Sequence, residues 1–120
     1  MTRTRTFLLV ATLALLAALV AALPAHAALP KLVGTVGPGF TITLKQGGKN
    51  VATVKRGKYA LVVSDRSPMH NFHLVGPGVN VKTTVAATGT KTFTVTLKPG
   101  RYTFLCDPHP SAMKRAFRVA

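Results

Sequence analysis

Residues 28–120 predict an all-β sandwich or barrel, on three observations. Apolar and polar residues alternate in runs such as Phe40-Thr-Ile-Thr-Leu44 and Thr92-Phe-Thr-Val-Thr-Leu97, the period-two pattern of a strand with one buried face. Those runs are rich in β-branched and aromatic residues, which fit a pleated, half-buried surface. Turn signals recur between them: Gly37-Pro38-Gly39, Gly47-Gly48, Gly57, Ser67-Pro68, Gly76-Pro77-Gly78, Gly89 and Pro99-Gly100. Short strands at this spacing are the pattern of antiparallel sandwiches and barrels.

Taken in order, the chain begins with a segment that reads as a targeting signal rather than structure. Arg3 and Arg5 form a positive start, Phe7 to Leu23 is apolar apart from Thr12, and Ala25-His26-Ala27 is a small-x-small cleavage site. The expected division is therefore a signal peptide over 1–27 and one domain over 28–120, exported to the periplasm or beyond. Left uncut, the 17-residue apolar run would instead tether the same domain to a membrane. Strands are then expected at Leu32 to Val36, Phe40 to Leu44, Val51 to Val54, Tyr59 to Val63, Phe72 to Val75, Thr83 to Ala86, Thr92 to Leu97, Tyr102 to Cys106 and Ala116 to Val119. Period two places Phe93, Val95 and Leu97 toward the core, and puts Tyr102, Phe104 and Cys106 on one face of their strand. Leu97-Lys-Pro-Gly-Arg-Tyr102 resembles the tyrosine corner of Greek-key sandwiches, in which a tyrosine hydroxyl pins a crossover.

Charge bounds the partners. Sixteen Lys and Arg stand against two acids, for a net charge of +14, or about +12 without Arg3 and Arg5. Such a surface attracts anionic partners. The basic residues are scattered among strands with no nucleic-acid motif, which argues against nucleic acid and toward an acidic redox protein or anionic lipid head groups. Five basic residues fall between Lys45 and Lys58, a basic edge that guards against edge-to-edge strand pairing.

The chemistry lies in Cys106, the sole cysteine, and its surroundings. It stands in the run Cys106-Asp-Pro-His109-Pro-Ser-Ala-Met113, directly after a strand. One cysteine forms no internal bridge, and an odd cysteine in an exported chain calls for a partner, a reactive role or a metal. His70 and His73 lie about thirty residues upstream. Two imidazoles, a thiolate and a weak thioether are the donors of a blue-copper electron-transfer centre. Structural zinc sites use Cys and His without Met, so copper ranks ahead of zinc. Pro108 and Pro110 flank His109 and stiffen its loop by fixing φ. His70 and His73 are three apart and face opposite ways on a regular strand, so one of them reaches the metal.

The motifs His70-Asn71, Tyr102-x-Phe104-x-Cys106, Cys106-x-Pro108-His109 and a following Met113 resemble the cupredoxins, near plastocyanin, pseudoazurin and amicyanin, over about Phe40 to Val119. The resemblance implies a Greek-key β-sandwich of about seven or eight strands holding one copper ion. It implies His70, Cys106, His109 and Met113 as the ligands, since the family's ligand histidine directly precedes an asparagine. It implies that Asn71 ties the histidine segment to the cysteine loop by hydrogen bonds, with Pro108 stiffening that loop, and leaves His73 a structural role. Three residues separate His109 from Met113, against two in amicyanin-like and four in plastocyanin-like loops, so Met113 departs most from the family pattern.

Function follows as an expectation. The leading reading is a small, monomeric, exported electron carrier. The edge of His109 would be its electron port, with Pro108, Pro110 and Ala112 around it. Lys114, Arg115 and Arg118 would steer an acidic partner such as a cytochrome or an oxidase domain. The alternative is a copper chaperone or buffering module built on the same ligands. An enzyme reading fails on inventory: His70, His73 and His109 cannot build a second copper centre, and only Asp65 and Asp107 are available to orient a catalytic histidine.

Overall fold

The computed structural model describes residues 22–24 and 26–120, and the domain in it is all-β. Most of the expected signal segment, 1–27, lies outside the described residues. Ten strands follow: β1 (Lys31–Val36), β2 (Ile42–Gln46), β3 (Lys49–Asn50), β4 (Thr53–Val54), β5 (Gly57–Asp65), β6 (His73–Gly76), β7 (Val79–Lys82), β8 (Gly89–Leu97), β9 (Gly100–Leu105) and β10 (Lys114–Val119). They form two five-stranded sheets, ordered β3-β2-β1-β5-β8 and β4-β10-β9-β6-β7.

Alternation builds the core between the sheets. On β5 the inward positions are Tyr59, Leu61, Val63 and Asp65; on β9 they are Tyr102 and Phe104, with Cys106 just beyond the strand. Aromatic rings fill the centre. Phe72 stacks on Phe104 at 5.7 Å between centroids, and Tyr102 on Phe117 at 5.4 Å. Val95 and Leu97 are buried, and Phe93 packs against the core from a partly buried position.

The tyrosine corner is present. The Tyr102 hydroxyl accepts the Lys98 N–H at 2.9 Å and lies 3.0 Å from the carbonyls of both Pro77 and Lys98, which share its one proton. Tyr102 also explains Gly76: a Cβ there would sit 2.1 Å from the Tyr102 ring, so only glycine lets β6 pass.

Four features differ from the sequence reading. There are ten strands rather than seven or eight, because Gly47-Gly48, both at positive φ, makes a tight hairpin that creates β3, and the chain then crosses sheets to form β4. The sheets are mixed, since β1 pairs with β5 and β4 with β10 in parallel. Thr83–Ala86 is not a strand. β7 begins at Val79, directly after the two-residue Pro77-Gly78 turn, and ends at Lys82: the Thr83 N–H still donates to Phe72 opposite it, but the Phe72 N–H turns to the Thr83 hydroxyl and the Thr83 carbonyl goes to the Asn71 side chain. Finally, β2 starts at Ile42, leaving Phe40 outside it and 60% exposed.

Candidate metal centre

The site forms where two segments meet at one end of the sandwich. The first is the bend between β5 and β6. The Asp65 carboxylate accepts the Ser67 N–H, the Ser67 hydroxyl accepts the Met69 N–H, and the Ser67 carbonyl accepts the His70 N–H at 3.4 Å. This turn aims His70 inward, 3% exposed, and Met69 outward. His70 and Asn71 lie in the loop just before β6 rather than on a strand. Thr83 clamps the next two residues: its hydroxyl accepts the Phe72 N–H at 2.9 Å, and its carbonyl accepts Asn71 Nδ2–H at 3.2 Å.

The second segment is the β9–β10 loop. The Cys106 N–H donates to the Met113 carbonyl at 2.9 Å, closing the loop at its base. Inside it the His109 N–H donates to the Cys106 carbonyl and the Met113 N–H to the His109 carbonyl. Pro108 and Pro110, which lack an N–H, occupy positions where these bonds need none. The loop is thereby held from within by three backbone bonds and two fixed φ angles.

Together these segments bring His70, Cys106 and His109 into one cluster whose donor atoms all lie within 4.8 Å. The two Nδ1 atoms are 3.0 Å apart, and Cys106 Sγ lies 3.6 Å from His70 Nδ1 and 3.7 Å from His109 Nδ1. Such spacings suit donors sharing one ion at roughly 2.0–2.3 Å from each, the range of metal–imidazole and metal–thiolate bonds. Cys106 and His70 are buried and His109 is half-buried. Two imidazoles and a thiolate fit a type 1 copper site by donor chemistry. Met113 is completely buried at the base of the same loop.

A braced second layer surrounds the donors. The Asn71 N–H points at Cys106 Sγ at 3.5 Å. The Asn71 side chain bridges the two segments, with Oδ1 accepting the Asp107 N–H and Nδ2 donating to Asp107 Oδ2, both at 2.8 Å. His73 faces away from the cluster, its Nδ1 2.7 Å from Asp107 Oδ1 and its Nε2 2.6 Å from Asn80 Oδ1. Burial alone would raise the pKa of Asp107. The hydrogen bonds from His73 and Asn71 and the positive charges of His73 and Lys82 outweigh that and hold it below the usual value. Pro108 is exposed beside His109.

Sequence reasoning missed three contributors. The sequence offers Asp107 only as a candidate catalytic acid, yet it joins Asn71 to His73. Thr83 has the pattern of a strand residue, yet it clamps the His70–Phe72 segment. Phe40 fits an alternating strand, yet its ring lies 5.3 Å from His70 and 5.0 Å from His109, covering both imidazoles. The Gly37-Pro38-Gly39 turn directly before Phe40 was the available signal.

Comparison with known proteins agrees with this architecture. Rusticyanin in its reduced form superposes with a TM-score of 0.54 at 19% identity, covering 75% of this chain and 78% of that one. Rusticyanin from Thiobacillus ferrooxidans gives 0.51 at 20%, covering 75% and 76%. An oxidised point mutant of amicyanin gives 0.50 at 19%, covering 74% and 81%. At such identities the likeness shows the fold. No curated protein sequence matches the chain. The family model for the cupredoxin-like domain matches residues 10–116, nearly the whole sequence, and the chain therefore belongs to the cupredoxin-like family.

Proposed function

We propose that this protein is an exported, mononuclear blue-copper electron carrier, with His70, Cys106 and His109 as strong ligands and Met113 as the weak axial donor. The observation that carries the reading is the convergence of a buried thiolate donor and two imidazoles from segments over thirty residues apart. Copper bound there supplies a one-electron couple. Thiolate and thioether favour its reduced state, and imidazoles serve both states. The protein's part is to hold these donors still. Asn71 locks the two segments together, the loop bonds fix His109 against Cys106, and Phe40 with the buried core keeps water from the sulfur. Half-buried His109 is the route to the surface.

The neighbours support this reading, since one rusticyanin structure is described as that of a copper protein and others as reduced or oxidised forms. The net charge of +14 favours an acidic redox partner such as a cytochrome or oxidase domain. The Ala25-His26-Ala27 triplet favours export, and a domain free after cleavage would work as a soluble monomer. The histidine inventory of His70, His73 and His109, too small for a second copper centre, favours a carrier over an oxidase.

Loading the domain with Cu(II) tests the proposal. An intense thiolate-to-copper absorption toward the red end of the visible, bleached by reduction and restored by oxidation, is expected. A colourless but tightly bound copper would overturn the carrier reading. Ready transfer of the ion to a competing apo-protein would favour a chaperone.

A further inference from the structure

Strand β10 is covered on one side only in part. Antiparallel β9 pairs with it along its whole length, from Lys114 to Val119. On the other side β4 reaches only Arg118 and Val119. From Lys114 to Phe117, the half beside the metal loop, no described strand lies against the outer edge. The direction of its backbone groups follows from the bonds at either end. Met113 accepts from Cys106 on the β9 side, whereas the N–H groups of Arg118 and Ala120 donate outward to Ala52 and Val54. Odd-numbered residues therefore face β9 and even-numbered ones face away, which turns the N–H and C=O of Lys114 and Ala116 outward.

Those groups border a groove of about 410 Å³ between β2 and β10. Leu44, Val51 and Phe104 supply apolar lining, and Lys114 and Arg115 line it with positive charge. Arg115 is unusual. It pairs opposite buried Phe104 and alternates in step with buried Phe117 and Val119, yet it is exposed. A guanidinium at a core-facing register position can reach solvent only through the mouth of the groove. The chain offers it no carboxylate: Asp65 is buried, Asp107 belongs to His73 and Asn71, and the one ion pair among the described residues is His73–Asp107.

We infer that this groove docks an extended, acidic segment of the electron-transfer partner. The segment adds as a short strand along Lys114–Phe117, with its carboxylates against Lys114 and Arg115. Four residues span roughly 10 Å, enough for a short stretch to pair with the outward groups of Lys114 and Ala116 while small apolar side chains cover half-buried Val51. Lys114 directly follows Met113 and pairs opposite Leu105, the neighbour of Cys106, so a docked partner would lie beside the metal loop. The inference rests on the carrier reading for the partner's identity, but the groove itself is testable without copper.

The test uses the full chain, metal-free, in low salt, with a capped hexapeptide of two adjacent Asp flanked on each side by two Val, which places one carboxylate on each face of the added strand, followed by amide NMR shifts. A peptide of equal charge with Pro in place of each Val is the control, because it cannot donate to a strand. Shift changes centred on Lys114, Ala116 and β2 are expected, with binding at least tenfold weaker for the proline peptide and for Arg115→Glu. Equal binding of both peptides, shifts spread over the whole cationic surface, or an Arg115→Glu variant that binds unchanged would overturn the inference. So would protection of the same amides by phosphatidylglycerol vesicles and not by the peptide. Arg115→Gln, which keeps the volume and removes the charge, should weaken binding in the same direction if Arg115→Glu fails to fold. Failure here with a normal copper spectrum would remove the docking site and leave the carrier reading standing; peptide binding without colour would do the reverse.

Discussion

The two ends of β9 carry polar side chains of the same inward face, and they are treated in opposite ways. At one end the Tyr102 hydroxyl is saturated, accepting from Lys98 and shared between the Pro77 and Lys98 carbonyls. At the other, Cys106 Sγ and the two Nδ1 atoms converge within 4.8 Å with no strong donor to satisfy the sulfur. A buried polar group that the chain satisfies by itself is holding the fold together. Two imidazoles and a thiol drawn from distant segments onto one point, with their ligating atoms facing one another, are arranged for an ion from outside. The cost of that arrangement is met nearby, by the Asn71–Asp107 bridge and the loop's own backbone bonds.

The comparison breaks most plainly through Cys106→Ser. Serine is close in size and its hydroxyl can still accept the Asn71 N–H, so the copper-free fold should survive. The thiolate is gone, so the blue colour should vanish entirely. Circular dichroism of the metal-free variant beside its copper-loaded absorption spectrum checks both halves. Loss of the fold would mean that Cys106 is a packing residue like Phe104.

At the opposite end the sharpest probe is Gly76→Ala. The added Cβ would sit 2.1 Å from one Tyr102 ring atom and 2.5 Å from two others, against a ring that is fully buried and stacked on Phe117. Overpacking in a tight core costs about 1–3 kcal/mol and occasionally more, and this contact belongs at the upper end. Denaturant unfolding should show that loss while the colour of folded, copper-loaded protein stays the same, because the site lies at the other end of β9. A change of colour without loss of stability would show that the two ends are coupled.

Much of this contrast was legible beforehand. Period-two alternation gave the inward faces of β8 and β9, and the spacing of Cys106, His109 and Met113 marked the loop. What could not be read were partners set by side-chain hydrogen bonds between distant segments. Thr83 and Thr84 have strand propensity, but the Thr83 hydroxyl serves Phe72 and ends the ladder at Lys82. The Gly76-Pro77-Gly78 turn is plain in the sequence, but pairing resumes directly after it at Val79 and not at Thr83, where the next strand is expected. Phe40 fits an alternating run with Ile42 and Leu44, yet the chain bends before Ile42 and the ring covers the two imidazoles instead. The parallel pairs β1–β5 and β4–β10 join strands far apart in sequence, and no local pattern encodes them.

The two upstream histidines repeat the contrast over three residues. His70 Nδ1 points into the donor cluster, while both nitrogens of His73 are occupied by Asp107 and Asn80. His70→Ala should therefore bleach the copper-loaded protein. His73→Ala should keep its colour and lose about 1 kcal/mol of stability, the scale of a partly exposed hydrogen-bonded pair. Bleaching by His73→Ala but not by His70→Ala would reverse the ligand assignment.

The smallest effect is one of pH, and its sign follows from Asp107. Its folded pKa lies below its unfolded one, because hydrogen bonds from His73 and Asn71 and nearby positive charge outweigh burial. The unfolded chain therefore binds more protons between the two values, and stability rises with pH across that window. The contribution is complete above about pH 5, beyond the ordinary aspartate range, and is lost as pH falls through the folded pKa. The side chain is 36% exposed, so solvent screens the pair and the gain stays small. Denaturant midpoints of the metal-free protein between about pH 2 and 6 should show the slope, and Asp107→Asn should flatten it, leaving whatever Asp65 contributes. An unchanged slope in that variant would mean that the carboxylate contributes only geometry to the loop, and that the bracing of Cys106 rests on the Asn71 bonds alone.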